Sequence, residues 1–409
     1  MKLRLNQLQN LNIKTSIRVT GSKSETNRLL LLQALFPNIE IENLSNSDDG
    51  RVMQKGLQVS NGEVDIHHAG TAMRFLTAYF ASQEGKEVIL TGSARMKERP
   101  IQVLVEALRE LGAEIEYLQT EGCPPLKISG KKLAKSKVAL PANVSSQYIS
   151  ALLLIAPSLE NGLELELIGK ITSVPYIKMT LSLLTDLGIS NSFYGNTITV
   201  SSKSTVTNTT MVVESDWSSA SYFYSIIALS NLGSEIRLSA YKENSLQGDS
   251  VLQEIYTQFG VESSFSNNEV LLKKSDDSVI NKFEYDLSNA PDLAQTIAVT
   301  CLGLGIGCHM TGLHTLPIKE TDRLAALKTE LTKLGASVET DSESLKLSAT
   351  DSIKSDVSID TYHDHRMAMA FGPLALKTNL FVNDAGVVSK SYPDFWKDLK
   401  TLGLQIEEV

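Results

Sequence analysis

Cysteine is scarce. Three in 409 residues (Cys123, Cys301, Cys308) are too few and odd in number for a disulfide framework, and they suit a reducing compartment. Cys301 and Cys308 stand seven residues apart with no histidine at ligand spacing, which is poor chemistry for zinc, so no metal is expected. Positive charge is also in deficit. Lys and Arg number 38 against 47 Asp and Glu, a net −9, which disfavours a nucleic-acid binder that works through bulk basicity. Long apolar runs are missing too: Ile149–Ala156 and Ile297–Ile306 are too short to span a bilayer. The opening MKLRLNQLQNLNIK is too rich in Asn and Gln to hold a signal-peptide core. The expectation is a soluble cytoplasmic protein without nucleic-acid or membrane partners. G-x4-G-K-[ST] and G-x-S-x-G are both absent, so neither a P-loop nor a nucleophile-elbow hydrolase is indicated.

What is present begins with length and a repeat. The chain is long enough for two or three domains and a substantial core, and its 42% hydrophobic and 21% charged residues are ordinary for a globular protein. Amphipathic segments end in an apolar residue and Gly at Leu111-Gly112, Leu187-Gly188, Phe259-Gly260, Leu334-Gly335 and Leu402-Gly403, spaced 68 to 76 residues apart. Upstream, Ile101, Leu104, Leu108 and Leu111 in one copy and Leu324, Leu327, Leu331 and Leu334 in another follow helical spacing. Glycine just past a helix end is a favoured left-handed cap, and Pro100 suits the first helix's N-terminal turn. Short alternating runs follow the glycine, Ala113–Tyr117 then Leu126–Ser129, and Val338–Thr340 then Ser344–Leu347, and these predict strand, turn, strand. The pattern indicates a globular α/β protein built from repeated units of about 70 residues, longer than solenoid repeats.

Seven cations lie in segments dense with Gly, Ser and Thr: Lys23 and Arg28 in GSKSETNR, Arg99 in RMKERP, Lys319 and Arg323 in KETDR, Arg366 in DHRMAM and Lys390 in SKSYPDF. On an acidic chain this concentration points to a small polyanion, with arginine suited to bidentate contacts and lysine acting as a point charge. GSKSETNRLLLLQAL is predicted as a loop entering a helix, whose first amides with Ser22, Lys23 and Ser24 would favour an anion. HHAGTAMRFLTAYF repeats the theme with small residues at Ala69 to Ala72, and NVSSQYISALLLIAP offers Ser145, Ser146 and Gln147 as uncharged donors. Helix capping and small-residue packing account for the same residues equally well. Acid–base candidates are Asp292 in NAPDLAQT, Glu320 in KETDR, and Asp364 and His365 in YHDHRMAM. His363 and His365 alternate as on a strand, and no third metal ligand accompanies them.

Nine segments in order, GSKSETNR, AGTAMR, LTGSARMKERPI, SSQYISALL, ESDWSSASYF, PDLAQTIA, KETDRLAAL, YHDHRMAMAF and SKSYPDF, resemble the 5-enolpyruvylshikimate-3-phosphate synthase family over nearly the whole chain. The resemblance implies two similar domains, each of three βαβαββ units arranged as an inside-out α/β barrel, with a substrate cleft between them. One domain would be discontinuous (1–20 and 215–409) and the other inserted (21–214). The implied reaction transfers the enolpyruvyl group of phosphoenolpyruvate to the 5-hydroxyl of shikimate 3-phosphate, without metal or organic cofactor, in a monomer. By resemblance, Ser24, Arg28, Ser145, Ser146, Ser173, Tyr176, Thr315 and Lys319 hold shikimate 3-phosphate. Gly70, Arg99, Arg323, His365, Arg366 and Lys390 hold phosphoenolpyruvate, with Lys23 and Gln147 near both. Asp292, which also contacts shikimate 3-phosphate, is the base for the hydroxyl with Lys23 assisting, and Glu320 is the acid toward the methylene carbon. The two substrates carry on the order of six negative charges, which the cations would offset.

Four positions depart from the family pattern. His68 stands where Asn is usual, Phe75 replaces Pro or Leu, Trp217 occupies a position usually small, and Thr315 replaces an Asn used by some relatives. An altered geometry around Gly70 would change sensitivity to the phosphoenolpyruvate mimic glyphosate. The competing readings are a UDP-N-acetylglucosamine enolpyruvyl transferase, an RNA 3′-phosphate cyclase and a non-catalytic binding protein. The first would carry Cys in a mobile loop, yet Cys123 lies in GCPP, outside that position.

Overall fold

A computed structural model describes residues 1–142, 145–169, 171, 174–277 and 280–409. The chain forms two compact units, Met1–Thr20 with Glu214–Val409 and Gly21–Val213. Strands β1 (Leu3–Asn6) and β2 (Lys14–Ile17) belong to the first. The second unit opens with α1 (Lys23–Leu35), β3 (Ile39–Glu42), α2 (Asp48–Leu57), β4 (Asn61–Asp65), α3 (Gly70–Ala81) and β5 (Glu87–Thr91). It continues through α4 (Gln102–Leu111), β6 (Glu114–Tyr117), β7 (Leu126–Ser129), β8 (Lys137–Pro141) and α5 (Ser146–Ile155). It ends with β9 (Leu163–Ile168), α6 (Val174–Asp186), β10 (Asn191–Tyr194), β11 (Thr197–Val200) and β12 (Thr209–Val212). The first unit resumes with α7 (Trp217–Leu229), β13 (Glu235–Ser239), α8 (Leu252–Thr257), β14 (Val261–Ser266), β15 (Glu269–Lys274) and β16 (Lys282–Asp286). Next come α9 (Ala294–Leu304), β17 (Gly307–Thr311), α10 (Arg323–Lys333), β18 (Val338–Thr340) and β19 (Leu345–Leu347). The chain closes with β20 (Val357–Ile359), α11 (His365–Phe371), β21 (Leu380–Val382), α12 (Phe395–Thr401) and β22 (Gln405–Glu408).

The repeat is visible in strand order. In β4-α3-β5-α4-β6-β7 the first two strands pair in parallel and the rest antiparallel, giving the sheet order β4-β5-β7-β6. The same order recurs as β8-β9-β11-β10 and as β16-β17-β19-β18. In β2-β13-β15-β14 the whole second unit is inserted between the first strand and α7. In β20-β21-β1-β22 the N-terminal strand takes the third place. The sixth copy departs from the expectation of three complete units per domain, since its sheet is only the parallel pair β12 and β3. The two remaining places of the motif have no strand among the described residues, because β3 leads through α2 directly to β4 of the next sheet.

Local sequence explains the elements. LELELI in β9 buries every second side chain, as a strand covered on one face should. Helix α4 buries Leu104, Leu108 and Leu111 on one stripe, and Gly112 ends it at φ 111°. The other four repeat glycines also have positive φ. Pro100 sits just ahead of the helix, which starts at Gln102 with Ile101 in the capping position. All twelve residues of α3 are buried, and α5, α7 and α9 are buried on nearly every side. Helices apolar all round belong at the centre of a unit. Each unit has its own core, the second including α3 and α5 and the first including α7, α9 and α11. At the entry to the second unit Gly21 lies so close to the Asn43 carbonyl that an added Cβ would be 1.9 Å from its oxygen. No described helix is long and apolar enough to cross a membrane.

Candidate active site

Several of the second unit's predicted residues lie in the first turns of α1, α3 and α5. Lys23 is the first residue of α1, behind the Ser22 cap, and its Nζ lies 3.3 Å from Asp49 Oδ2. One turn on, Arg28 is buried. Its Nε donates to Thr180 Oγ1 at 2.8 Å, Nη1 to the Ser24 carbonyl at 2.7 Å and Nη2 to Ser150 Oγ at 3.0 Å and the Tyr176 carbonyl at 3.4 Å. None of these partners is a carboxylate, and burial lowers the Arg28 pKa to about 10. The rings of Phe75 and Tyr176 lie 5.4 and 6.0 Å from the guanidinium carbon, so uncharged groups hold a buried cation.

A second group forms where α3 and α5 begin. Gly70 opens α3, and a methyl there would stand 2.8 Å from Arg99 Nη1. Arg74 ties this turn to the segment after Arg99, donating to the carbonyls of Gly70 at 3.1 Å and Pro100 at 3.2 Å. Ser145 caps α5, Ser146 is its buried first residue, and Gln147 Nε2 donates to Thr71 Oγ1 at 3.2 Å. Ser173 lies outside the described residues.

In the first unit the centre is Asp292. Its Oδ1 accepts from Arg323 Nη1 at 2.7 Å and faces Lys319 Nζ at 3.4 Å, while Oδ2 accepts from Arg366 Nη2 at 3.0 Å. Arg323, at 2% exposure, also reaches Asp364 Oδ2 through Nε at 2.6 Å and Glu320 Oε2 through Nη2 at 2.9 Å. Burial opposes its charge, but Asp364, Glu320 and Asp292 outweigh that and raise its pKa. For Arg366 burial again opposes the charge, and Asp292 leads the groups that raise its pKa well above the usual value. Asp364 is the buried cap of α11, accepting from the Arg366 amide at 2.8 Å. Lys390 Nζ donates to the His363 carbonyl at 2.6 Å, and His365 is the buried first residue of α11. Thr315 Oγ1 is buried without a hydrogen-bond partner among the described residues.

Within each unit, then, the predicted residues fall into groups. The strand expectation for His363 and His365 is corrected: Tyr362 and His363 have φ of 53° and 56° and form a turn, and His365 starts a helix. The Asp between them caps that helix, a signal available in YHDHRMAM. Sequence reasoning missed Asp49, Ser150, Thr180, Ser218 and Asp249. Of these, only Thr180 had a local signal, four residues after Tyr176 on α6, where its hydroxyl donates to the Tyr176 carbonyl at 3.0 Å. The departures at Phe75 and Trp217 are fully buried, the indole donating to Glu214 Oε1 at 2.8 Å, whereas His68 is exposed. No group of three or more His, Cys, Asp or Glu among the described residues is arranged to hold a metal ion.

Comparison with known proteins places these groups in context. Residues 54–399 match the family model for EPSP synthase (3-phosphoshikimate 1-carboxyvinyltransferase). A 3-phosphoshikimate 1-carboxyvinyltransferase of Bacteroides fragilis is 45% identical over 399 residues, covering 97% of both chains. One from Haemophilus influenzae is 34% identical, covering 96% of this chain and 97% of its own. The solved EPSP synthase of Acinetobacter baumannii superposes with a TM-score of 0.80 at 20% identity over the whole of both chains. The enolpyruvyl transferase NikO of Streptomyces tendae does so with 0.74 at 14% identity, over 100% of this chain and 99% of its own. These two structures bear on the fold, and the sequence relatives bear on the family. A repeated βαβαββ architecture and relatives at this identity have one account: the chain belongs to the EPSP synthase (3-phosphoshikimate 1-carboxyvinyltransferase) family of enolpyruvyl transferases.

Proposed function

We propose that the protein transfers the enolpyruvyl group of phosphoenolpyruvate to the 5-hydroxyl of shikimate 3-phosphate and releases phosphate. The observation that carries the reading is the ion-pair group around Asp292, into which two separate segments, 319–323 and 364–366, bring three cations and two more carboxylates. Both N–H groups of Arg366 Nη2 are engaged, by Asp292 and Ser218, while Nε and Nη1 have no hydrogen-bond partner among the described residues. Such a fork, fixed at one nitrogen, suits a carboxylate or phosphate. Arg323 differs, since carboxylates engage all three of its nitrogens. It holds phosphoenolpyruvate only by exchanging one of them for the anion.

The chemistry is addition followed by elimination. The 5-hydroxyl oxygen bonds to C2 of phosphoenolpyruvate as C3 takes a proton. The phosphate then leaves C2 and C3 returns a proton, restoring the double bond. Asp292 takes the hydroxyl proton, assisted by Lys23, and Glu320 serves C3. Arg28, Ser24, Ser145, Ser146, Ser173, Tyr176, Thr315 and Lys319 hold shikimate 3-phosphate. Gly70, Arg99, Arg323, His365, Arg366 and Lys390 hold phosphoenolpyruvate, and Gln147 and Lys23 serve both. The buried, carboxylate-free Arg28 supports a role toward a dianion, since its charge is uncompensated within its own hydrogen-bond set. The test is phosphate release from phosphoenolpyruvate with and without shikimate 3-phosphate, with mass spectrometry of the product. Release that depends on the acceptor, with the enolpyruvyl adduct formed, supports the reading. Turnover only with UDP-N-acetylglucosamine would overturn it.

A further inference from the structure

Asp249 lies in a short helical turn, Gly248–Val251, just ahead of α8, and is 3% exposed. Its carboxylate Oδ2 accepts a hydrogen bond from the Ser218 hydroxyl, and its Oδ1 has no hydrogen-bond partner among the described residues. Ser218 Oγ in turn lies 3.2 Å from Arg366 Nη2. The turn is fastened to the start of α7 by Gln247, whose Oε1 accepts from the Trp217 amide at 3.0 Å and whose Nε2 donates to the Ser215 carbonyl at 2.9 Å.

The direction of this chain is fixed by chemistry. Guanidinium only donates, an ionised carboxylate only accepts, and a hydroxyl has one proton to give. Ser218 therefore accepts from Arg366 and spends its proton on Asp249. With Asp292 on the other N–H of Nη2, the guanidinium plane is held at one nitrogen, leaving Nε and Nη1 for an anion. We propose that Asp249 is a positioning residue for Arg366, acting through the Ser218 hydroxyl, and that its charge state tunes the affinity of this arginine for phosphoenolpyruvate. The inference rests on the functional reading above.

Other charges bear on Asp249. Burial is the leading cause that raises its pKa, to about 6; Asp292, beside α9, and Asp216, the cap of α7, add to this. Arg366 on α11 and the Ser218 hydrogen bond act in the opposite direction. When Asp249 takes a proton it becomes a donor, the Ser218 hydroxyl loses its charged acceptor, and the oxygen facing Arg366 is less polarised.

The experiment compares wild type, Asp249→Asn, Ser218→Ala and the double variant by steady-state phosphate release, with thermal melting alongside. At about pH 7.5 Asp249→Asn is expected to raise KM for phosphoenolpyruvate about tenfold while KM for shikimate 3-phosphate stays within about twofold. The double variant is expected to match Ser218→Ala alone, because Asp249 acts only through that hydroxyl. Below about pH 6 the wild-type and Asp249→Asn KM values converge, a comparison in which titration of the substrate cancels. Additive effects, a KM ratio constant with pH, or a lowered melting temperature with unchanged KM would each overturn the inference. If Asp249→Asn does not fold, Ser218→Ala carries the test: the ratio of its KM to that of wild type must narrow as pH falls over the same interval, and parallel profiles overturn it. A wild type that releases no phosphate overturns the functional reading and this inference together, whereas a normal wild type with an additive pair overturns the inference alone.

Discussion

Arg323 Nε donates to Asp364 Oδ2 at 2.6 Å, and both side chains are essentially shut off from solvent. Removing Asp364 leaves Arg323 Nε without its acceptor, while Asp292 and Glu320 still face the charge. Asp364→Ala also strips the cap of α11, which accepts from the Arg366 amide in the helix's first turn. The expected cost is about 2–4 kcal/mol of folding free energy, from a lost cap and an unsatisfied buried donor, with Asp364→Asn less damaging because the cap acceptor remains. Urea denaturation of the two variants checks the order and the size.

Gly70 is pressed by an arginine rather than by backbone. The group that an alanine methyl would meet is the Nη1 end of Arg99, the far end of a flexible side chain, so folding tolerates the change by moving the guanidinium. Gly70→Ala is expected to shift the melting temperature little. It should raise KM for phosphoenolpyruvate about tenfold, leaving KM for shikimate 3-phosphate nearly unchanged. Equal changes in both constants would show that Arg99 is not the group displaced.

Phe75 replaces a smaller residue of the family pattern and lies 5.4 Å from the Arg28 guanidinium carbon. Phe75→Leu keeps the core apolar at a cost of less than about 1.5 kcal/mol, but removes a ring whose interaction with the cation contributes about 0.5–2 kcal/mol. The expected outcome is an increase of about three- to tenfold in KM for shikimate 3-phosphate with kcat largely retained. Steady-state kinetics with that substrate varied is the check.

Asp249 gives a dependence of stability on pH whose sign is fixed. An unfolded aspartate titrates at about 4 and the buried one at about 6, so between those values the folded state binds more protons. The penalty is absent below about pH 4, grows as pH rises and is complete above about pH 6, reaching on the order of 3 kcal/mol. Asp249→Asn is therefore expected to unfold at higher urea concentration than wild type at neutral pH, with the advantage vanishing toward about pH 4. Urea midpoints across that range measure it.

The parts of this molecule legible in sequence are those set by short-range rules. Leu111-Gly112 announces a helix end because the left-handed cap and the apolar stripe are both local, and LELELI states its own alternation. The βαβαββ order came instead from the family resemblance, and even that did not foretell a sixth sheet of only two strands. His363 and His365 misled because a two-residue spacing fits a strand as well as a turn followed by a helix; the intervening Asp364 decides between them by capping. The cations were legible as a set, but their occupancy was not. That Arg28 is surrounded by hydroxyls and carbonyls while Arg323 is surrounded by carboxylates depends chiefly on pairings 31 to 152 residues apart, with Ser24 and Glu320 the local exceptions. The same holds for Asp249 and Ser218, 31 residues apart.

Strand β1 lies between β21 and β22, pairing Leu3 with Val382 on one side and Glu408 on the other. As the ribosome makes the chain, the segment Gly21–Val213 has every partner it needs for its own sheets as soon as that stretch has emerged. The first strand has no partner until nearly four hundred more residues have been added. The later-numbered unit is thus free to mature first, and the strand translated earliest is among the last to be locked in place.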